Sequence, residues 1–92
     1  MSENFEYPLM PDWSKEEIIK MVEFYAEVEK AYTTGVSKTE FLAKVADFKQ
    51  IEPAIADQKR IDRQYQKVSG FSIYRAIKAV QNTSKKFIKV EE

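Results

Sequence analysis

Apolar residues recur every three or four positions along most of this chain, which is the spacing that gathers side chains on one face of an α-helix. Glu23, Glu27 and Lys30 stand between them, where they can pair with one another on a face in water. The pattern predicts a first helix over residues 14–33, closed by Gly35. Its buried stripe is predicted to hold Ile18, Met21, Val22, Tyr25, Val28 and Tyr32.

Two S-x-x-E motifs, one before each of the first two helices, are capping boxes. In such a box the serine hydroxyl accepts from the amide three residues on, and the glutamate carboxylate accepts from the serine amide. The two pairs are Ser14 with Glu17 and Ser37 with Glu40. The second helix is predicted over residues 37–50, because Pro53 disfavours helical geometry in the residue before it. The link between the helices is short, so they are predicted to form an antiparallel hairpin.

Two further helices are predicted in the second half of the chain. The third runs from Pro53, in its first turn, to about Lys67, and Gly70 closes it. Its sparse apolar face is predicted to hold Ile55, Ile61, Tyr65 and Val68. The fourth covers residues 72–81, with Ser72 as its N-cap. Its inward positions are Ile73, Ala76, Ile77 and Val80.

The two ends of the chain lack the helical period. Two prolines give residues 1–13 an extended path, and we expect this arm to lie over a groove between helices, or else to offer a strand to a partner. Residues 82–92 form a tail of a kind that is often disordered, although Phe87, Ile88 and Val90 could add a short packed or paired stretch. The chain, residues 1–92, is therefore predicted to be a single all-α domain, a small four-helix irregular array or bundle with an extended N-terminal arm.

Composition limits the chemistry that is open to the chain. It has 43% hydrophobic residues and two glycines, so it is predicted to fold. It has no histidine and no cysteine, and so lacks the commonest general base, the strongest nucleophile and the usual zinc ligands. We expect no catalytic residues, no metal site and no cofactor. The absence of cysteine and of a long apolar run favours the cytoplasm and disfavours a membrane.

Charge is distributed unevenly although the net charge is zero. Residues 1–31 carry eight acids and three bases, whereas residues 59–90 carry nine bases and one acid. The halves can neutralise each other within the fold, or the basic half can contact nucleic acid. The candidate nucleic-acid residues are Lys59, Arg60, Arg63 and Lys67 on the third helix, with Lys85 and Lys86 in the tail. A sequence pI near 6.3 argues against this alternative.

Several large side chains near the ends of helices are candidates for contact with a protein partner. They are Tyr7, Leu9, Trp13, Tyr74 and Arg75. Tyr74 and Arg75 could hold a phosphate or carboxylate, but an interior tyrosine and an arginine paired with Asp12 or the first helix is the preferred interpretation. For Trp13, packing against Ile18 is preferred to a stacking platform. We expect a protein–protein interaction or structural module, with another protein or a second copy as partner.

One set of segments resembles a known family. They are Tyr7-Pro8-Leu9, Asp12-Trp13-Ser14, Val28-Glu29-Lys30-Ala31-Tyr32, Phe48-Lys49 before Pro53, and Val68-Ser69-Gly70-Phe71-Ser72-Ile73-Tyr74-Arg75-Ala76. In these the chain is similar to the YktA-like small proteins of Gram-positive bacteria, uncharacterised protein family 0223, over roughly residues 5 to 80. The resemblance implies a compact all-helical cytosolic protein, with no activity, cofactor or site residues to carry over. The run Ala54-Ile55-Ala56-Asp57 departs from the more polar capping run expected there.

Overall fold

Four helices account for most of residues 7–91, the part of the chain that the computed structural model describes. The helices are α1 (Lys15–Thr33), α2 (Lys38–Ile51), α3 (Ile55–Ser69) and α4 (Ile73–Gln81), and two short strands are β1 (Val36–Ser37) and β2 (Phe87–Ile88). The predicted all-α class with four helices is confirmed. Within the described residues, no helix is both long and apolar enough to cross a membrane.

The start of α1 has the predicted capping box. The Ser14 hydroxyl accepts from the Glu17 amide at 3.1 Å, and the Glu17 carboxylate accepts from the Ser14 amide at 2.9 Å. The helix ends in a turn at Gly35, whose φ of +102° is one that glycine adopts at little cost. There the Gly35 amide donates to the Lys30 carbonyl at 2.7 Å, so both ends of α1 satisfy backbone groups that the helix leaves open.

The first two helices pack as the predicted hairpin. The rings of Phe24 and Phe48 stack with centroids 4.6 Å apart and planes 9° apart. At the start of α2 the Ser37 hydroxyl accepts from the Glu40 amide at 3.4 Å. Burial of both aromatic stripes against each other removes their apolar surface from water, which is the main force holding α1 to α2.

The third helix begins later than predicted. Ala54, with φ −79° and ψ 130°, is its N-cap, so Pro53 lies outside the helix and the predicted start at Pro53 is wrong. Ala54 has no side-chain oxygen to cap the first turn, and the chain from Glu52 to Ala54 stays extended. The sequence also placed Ile55 on the apolar face, but its side chain is 58% exposed.

Two more expectations for α3 are corrected. Val68 was predicted to face the core with Ile61 and Tyr65, yet it is exposed while those two are fully buried. The helix continues to Ser69 rather than Lys67, where Gly70 closes it with φ +83°. Gln58, Ile61 and Tyr65 form the buried line of α3, and Val68 lies in the last turn, beyond them. The left-handed backbone of Gly70 sets the C-terminal end of the helix.

The N-terminal arm lies against α1 and α3. The Tyr25 hydroxyl donates to the Pro8 carbonyl at 2.7 Å, and the Tyr7 ring lies 5.0 Å from that of Tyr25 and 6.2 Å from that of Tyr65. Tyr65 in turn donates to the Tyr25 carbonyl at 3.0 Å. Residues 7–12 thus cover the groove between two helices, as predicted for this part of the arm; residues 1–6 lie outside the described residues.

The C-terminal segment follows the paired alternative that the sequence left open. Strands β1 and β2 are antiparallel, with Val36 opposite Ile88. The Val90 amide donates to the Ala31 carbonyl at 2.7 Å, and both Ile88 and Val90 are buried. Strand pairing and this hydrogen bond therefore hold residues 87–90 against β1 and the end of α1.

Candidate functional site

A groove opens where α4 meets the C-terminal segment, and we call it the α4 groove. Its volume is about 490 Å³, and it is lined by Arg75, Ala79, Thr83, Lys85, Phe87, Ile88, Lys89, Val90 and Glu91. One wall is the outer face of α4 and the other is β2 with the residues after it. Volumes of this size are typical of sites that hold a small ligand or a peptide side chain.

Alternation along the segment decides which of its side chains are exposed to water at the groove. Successive residues of an extended chain point to opposite sides, so Ile88 and Val90 enter the core while Phe87 and Lys89 face outward. Phe87 is 62% exposed, the most exposed large apolar residue among those described. Its ring lies over Gly35, where an added Cβ would be 2.5 Å from the ring. Glycine at this turn thus leaves room for the phenylalanine ring against the backbone.

The electrostatics of the α4 groove are dominated by cations. Arg75, Lys85 and Lys89 are all exposed, against the single carboxylate of Glu91. Among residues 7–91 the ion pairs join Lys30 to Glu27, Lys44 to Glu23 and Arg60 to Asp57, so none neutralises the bases of the groove. An exposed aromatic ring close to cations that form no ion pair can bind an acidic peptide segment that also carries an apolar side chain.

The structure separates the five residues predicted for partner contact. Arg75 lines the α4 groove, and the predicted ion pair with Asp12 or α1 is absent from the described residues. Leu9 is 48% exposed but lies on the arm, outside the groove. Only these two of the five remain both exposed and open to a partner in this conformation.

The other three predicted contact residues are engaged inside the fold. Trp13 is buried, and its indole N–H donates to the Glu52 carboxylate at 2.7 Å. The Tyr74 hydroxyl donates to the Gln58 amide oxygen at 2.6 Å, and burial raises the pKa of this phenol. Burial and the hydrogen bond to Glu29 together raise the pKa of Tyr7 to about 12. These side chains hold elements together, and Tyr74 is half-buried.

The basic residues predicted for nucleic acid fall into two groups. Lys59, Arg60, Arg63 and Lys67 all lie exposed on α3, as the helical spacing predicted. Asp57 neutralises part of this ridge, with its carboxylate 2.9 Å from the Arg60 guanidinium. Lys85 and Lys86 are exposed in the C-terminal segment. Lys85 lines the α4 groove together with Arg75, and no residue of α3 lines it.

Two residues of the α4 groove, Phe87 and Lys89, were not among the candidate site residues predicted from the sequence. Phe87 was expected either to pack with Ile88 and Val90 or, in the run Lys85-Lys86-Phe87-Ile88-Lys89, to interleave an aromatic ring with bases that contact nucleic acid. In the run Phe87-Ile88-Lys89-Val90, the polar Lys89 stands between the apolar Ile88 and Val90. This alternation could have indicated that the first and third side chains of the run face outward. Four residues are too few for that pattern to be read with any security.

Comparison with known proteins finds one family. Residues 4–89 match the family described as Uncharacterised protein family (UPF0223). A UPF0223 protein of Streptococcus gordonii is 44% identical over 88 residues, which cover 96% of this chain and 96% of that protein. A UPF0223 protein of Bacillus cytotoxicus is 46% identical over 79 residues, covering 86% and 89%. A UPF0223 protein of Lactococcus lactis is 37% identical over 92 residues, covering 100% and 99%. All three organisms are Gram-positive, as the resemblance implied.

Proposed function

The chain belongs to the UPF0223 family, and from this premise we propose that it is a small protein-binding module that holds an acidic segment of a partner in the α4 groove. The family description carries no activity, so the reasons come from the surface of the chain. The observation that carries the proposal is the exposed Phe87 ring in a groove with three bases, none of which forms an ion pair with a described acid. The partner is expected to supply carboxylates and one apolar side chain.

The same proposal includes the absence of catalysis and a cytoplasmic location. A chain without histidine or cysteine lacks the groups that most hydrolytic and transfer mechanisms use for proton transfer and nucleophilic attack. Lack of cysteine is also what a reducing compartment favours. A binding role needs neither group, since affinity can come from apolar burial and charge alone.

The affinity of such binding is limited by the small size of the groove and by its exposure to solvent. Exposed ion pairs contribute about 0.2–1 kcal/mol each, and burial of a phenylalanine side chain contributes about 1.5–3 kcal/mol. Three such pairs and the ring give at most about 6 kcal/mol before the entropic cost of association, so the dissociation constant is expected to be about 10⁻⁴ M or weaker. Affinity in this range is typical of transient contacts, and its electrostatic part falls with added salt.

The test is binding of a fluorescein-labelled peptide of alternating glutamate and leucine, measured by fluorescence anisotropy. A peptide of alternating lysine and leucine is the control for nonspecific hydrophobic binding. We expect binding of the acidic peptide only, weakened about tenfold by Lys85→Glu with Lys89→Glu and by Phe87→Ser. The matched control, Lys59→Glu with Arg63→Glu on α3, should leave binding unchanged. Equal affinity for both peptides, or no binding of either, would refute the proposal.

Nucleic-acid binding through α3 is the second candidate, and one observation favours it. Four bases, Lys59 to Lys67, are exposed on one helical face over about 12 Å, a reach that spans several phosphates. Binding would show as a mobility shift of DNA or RNA at about 50 mM salt that disappears by about 200 mM. Lys59→Glu with Arg63→Glu should abolish the shift, and the absence of any shift for the natural chain would end this candidate.

A further inference from the structure

A second exposed apolar side chain lies at the start of α1, in a setting opposite in charge to the α4 groove. Ile19 is 50% exposed and shares a shallow depression of about 430 Å³ with its helical neighbours. An adjoining depression adds further acids from α1 and α2. We call the combined surface the α1 patch; it consists of Glu16, Glu17, Ile19, Lys20, Glu23 and Asp47.

The α1 patch has the properties expected of the partner in the α4 groove. It presents four carboxylates and one ammonium around an exposed isoleucine, where the groove presents three bases and one carboxylate around an exposed phenylalanine. Glu23 is already paired with Lys44 at 2.9 Å, but its side chain remains 53% exposed and accessible to a second cation. Glu16 and Asp47 have no ion pair with a base among residues 7–91.

The two surfaces cannot meet within one molecule. Ile19 lies near the N-terminal end of α1, whereas the segment that forms the α4 groove is fixed at Ala31, near the other end of the same helix. Twelve residues of helix separate these points, a distance of about 18 Å. A rigid helix between the surfaces keeps each free for another molecule.

From these observations we propose that the partner of the α4 groove is a second copy of this chain, docked through its α1 patch. This inference rests on the proposed function of the groove and names its occupant. Phe87 of one copy packs against Ile19 of the next, with Arg75, Lys85 and Lys89 facing Glu16 and Glu23. The contact is head to tail, so each copy keeps one surface of each kind open, and growth continues unless a ring closes.

The test is sedimentation velocity of the full chain over a range of concentrations. The average mass is expected to rise with concentration at about 50 mM salt and much less at about 200 mM. Two charge-reversed variants, Lys85→Glu with Lys89→Glu and Glu16→Lys with Glu23→Lys, should each stay monomeric when alone. Mixed together they should associate, because each supplies a surface complementary to the other. The α3 variant Lys59→Glu with Arg63→Glu is the control and should behave as the natural chain.

Variants that fail to fold are recognised by circular dichroism, and Phe87→Ser and Ile19→Ser provide a second pair of changes at exposed positions. The outcomes separate the two proposals. A strict monomer that still binds the acidic peptide, and loses it with Lys85→Glu and Lys89→Glu, would overturn self-association and leave the binding function standing. A monomer that binds no acidic peptide would overturn both. Self-association that survives both reversals would show that the contact uses other surfaces and would refute this inference.

Discussion

At the residue scale, the two glycines have similar backbones but different surroundings. Gly35 and Gly70 both have positive φ, +102° and +83°. A Cβ at Gly70 would meet nothing within 4 Å, whereas a Cβ at Gly35 would lie 2.5 Å from the Phe87 ring and 3.2 Å from the Ile88 carbonyl oxygen. Conformational freedom alone explains Gly70. Gly35 is required for a second reason, because β2 lies directly over it.

This difference gives a matched pair of substitutions. Gly70→Ala is expected to lower the free energy of unfolding by about 1 kcal/mol, from the strained backbone alone. Gly35→Ala should lower it by about 2 kcal/mol or more, since β2 must also shift. Urea denaturation measures both. Gly35→Ala should also weaken acidic-peptide binding in the α4 groove, and equal losses of stability for the two variants would contradict the close approach of Phe87.

At the element scale, a seam of polar contacts joins α3 to α4. The Asp62 carboxylate accepts from the Ile73 amide at 2.7 Å, at the N-terminal turn of α4, where a negative charge is favoured. The buried Gln58 accepts from the Tyr74 hydroxyl and donates to the Glu52 carbonyl at 2.8 Å. These bonds orient a short helix that would be marginal by itself, and so position Arg75 in the groove.

The seam predicts the effect of changing Asp62. Asp62→Ala removes a charge-assisted hydrogen bond and should lower the free energy of unfolding by about 1.5–3 kcal/mol. Asp62→Asn keeps an acceptor and should cost about half as much. Asp57→Ala, in the same helix, removes the exposed pair with Arg60 and a carboxylate from the first turn of α3, and should cost about 0.5–1 kcal/mol. Thermal denaturation of the three variants is the measurement, and an Asp62→Ala variant as stable as Asp57→Ala would disprove the capping role.

At the scale of the whole molecule, the phenols of Tyr7, Tyr25 and Tyr65 share the interior between the arm, α1 and α3, and that of Tyr74 lies half-buried where it bonds to Gln58. Burial raises the pKa of Tyr25 and of Tyr65, burial together with Glu29 raises that of Tyr7 to about 12, and burial raises that of Tyr74. Each group is more easily ionised in the unfolded chain, where tyrosine titrates near pH 10. The folded state therefore binds these protons more tightly than the unfolded state.

The consequence is a loss of stability in alkali. Because the folded pKa values are raised, the stabilisation is fully present below about pH 10 and is lost as the pH rises towards about 12. The ultraviolet absorbance of tyrosinate should rise later for the folded chain than for the chain in urea, and should coincide with loss of helical circular dichroism. Titration of all phenols near pH 10 with the helices intact would show that the tyrosine cluster is open to water.

The sequence by itself determined the helical elements, because local rules govern them: the three-to-four spacing, the serine caps and the glycine stops act within a few residues. It also determined the unequal charge of the two halves. Only the tertiary structure decided what lies far apart in the chain, such as the pairing of β2 with β1, the burial of Glu27 on a face expected to be wet, and the exposure of Phe87. The α4 groove joins α4 to the C-terminal segment, and the packing of Ile88 and Val90 against the end of α1 sets its shape. No local pattern encodes such long-range contacts, which depend on how the whole chain shields its apolar surface from water.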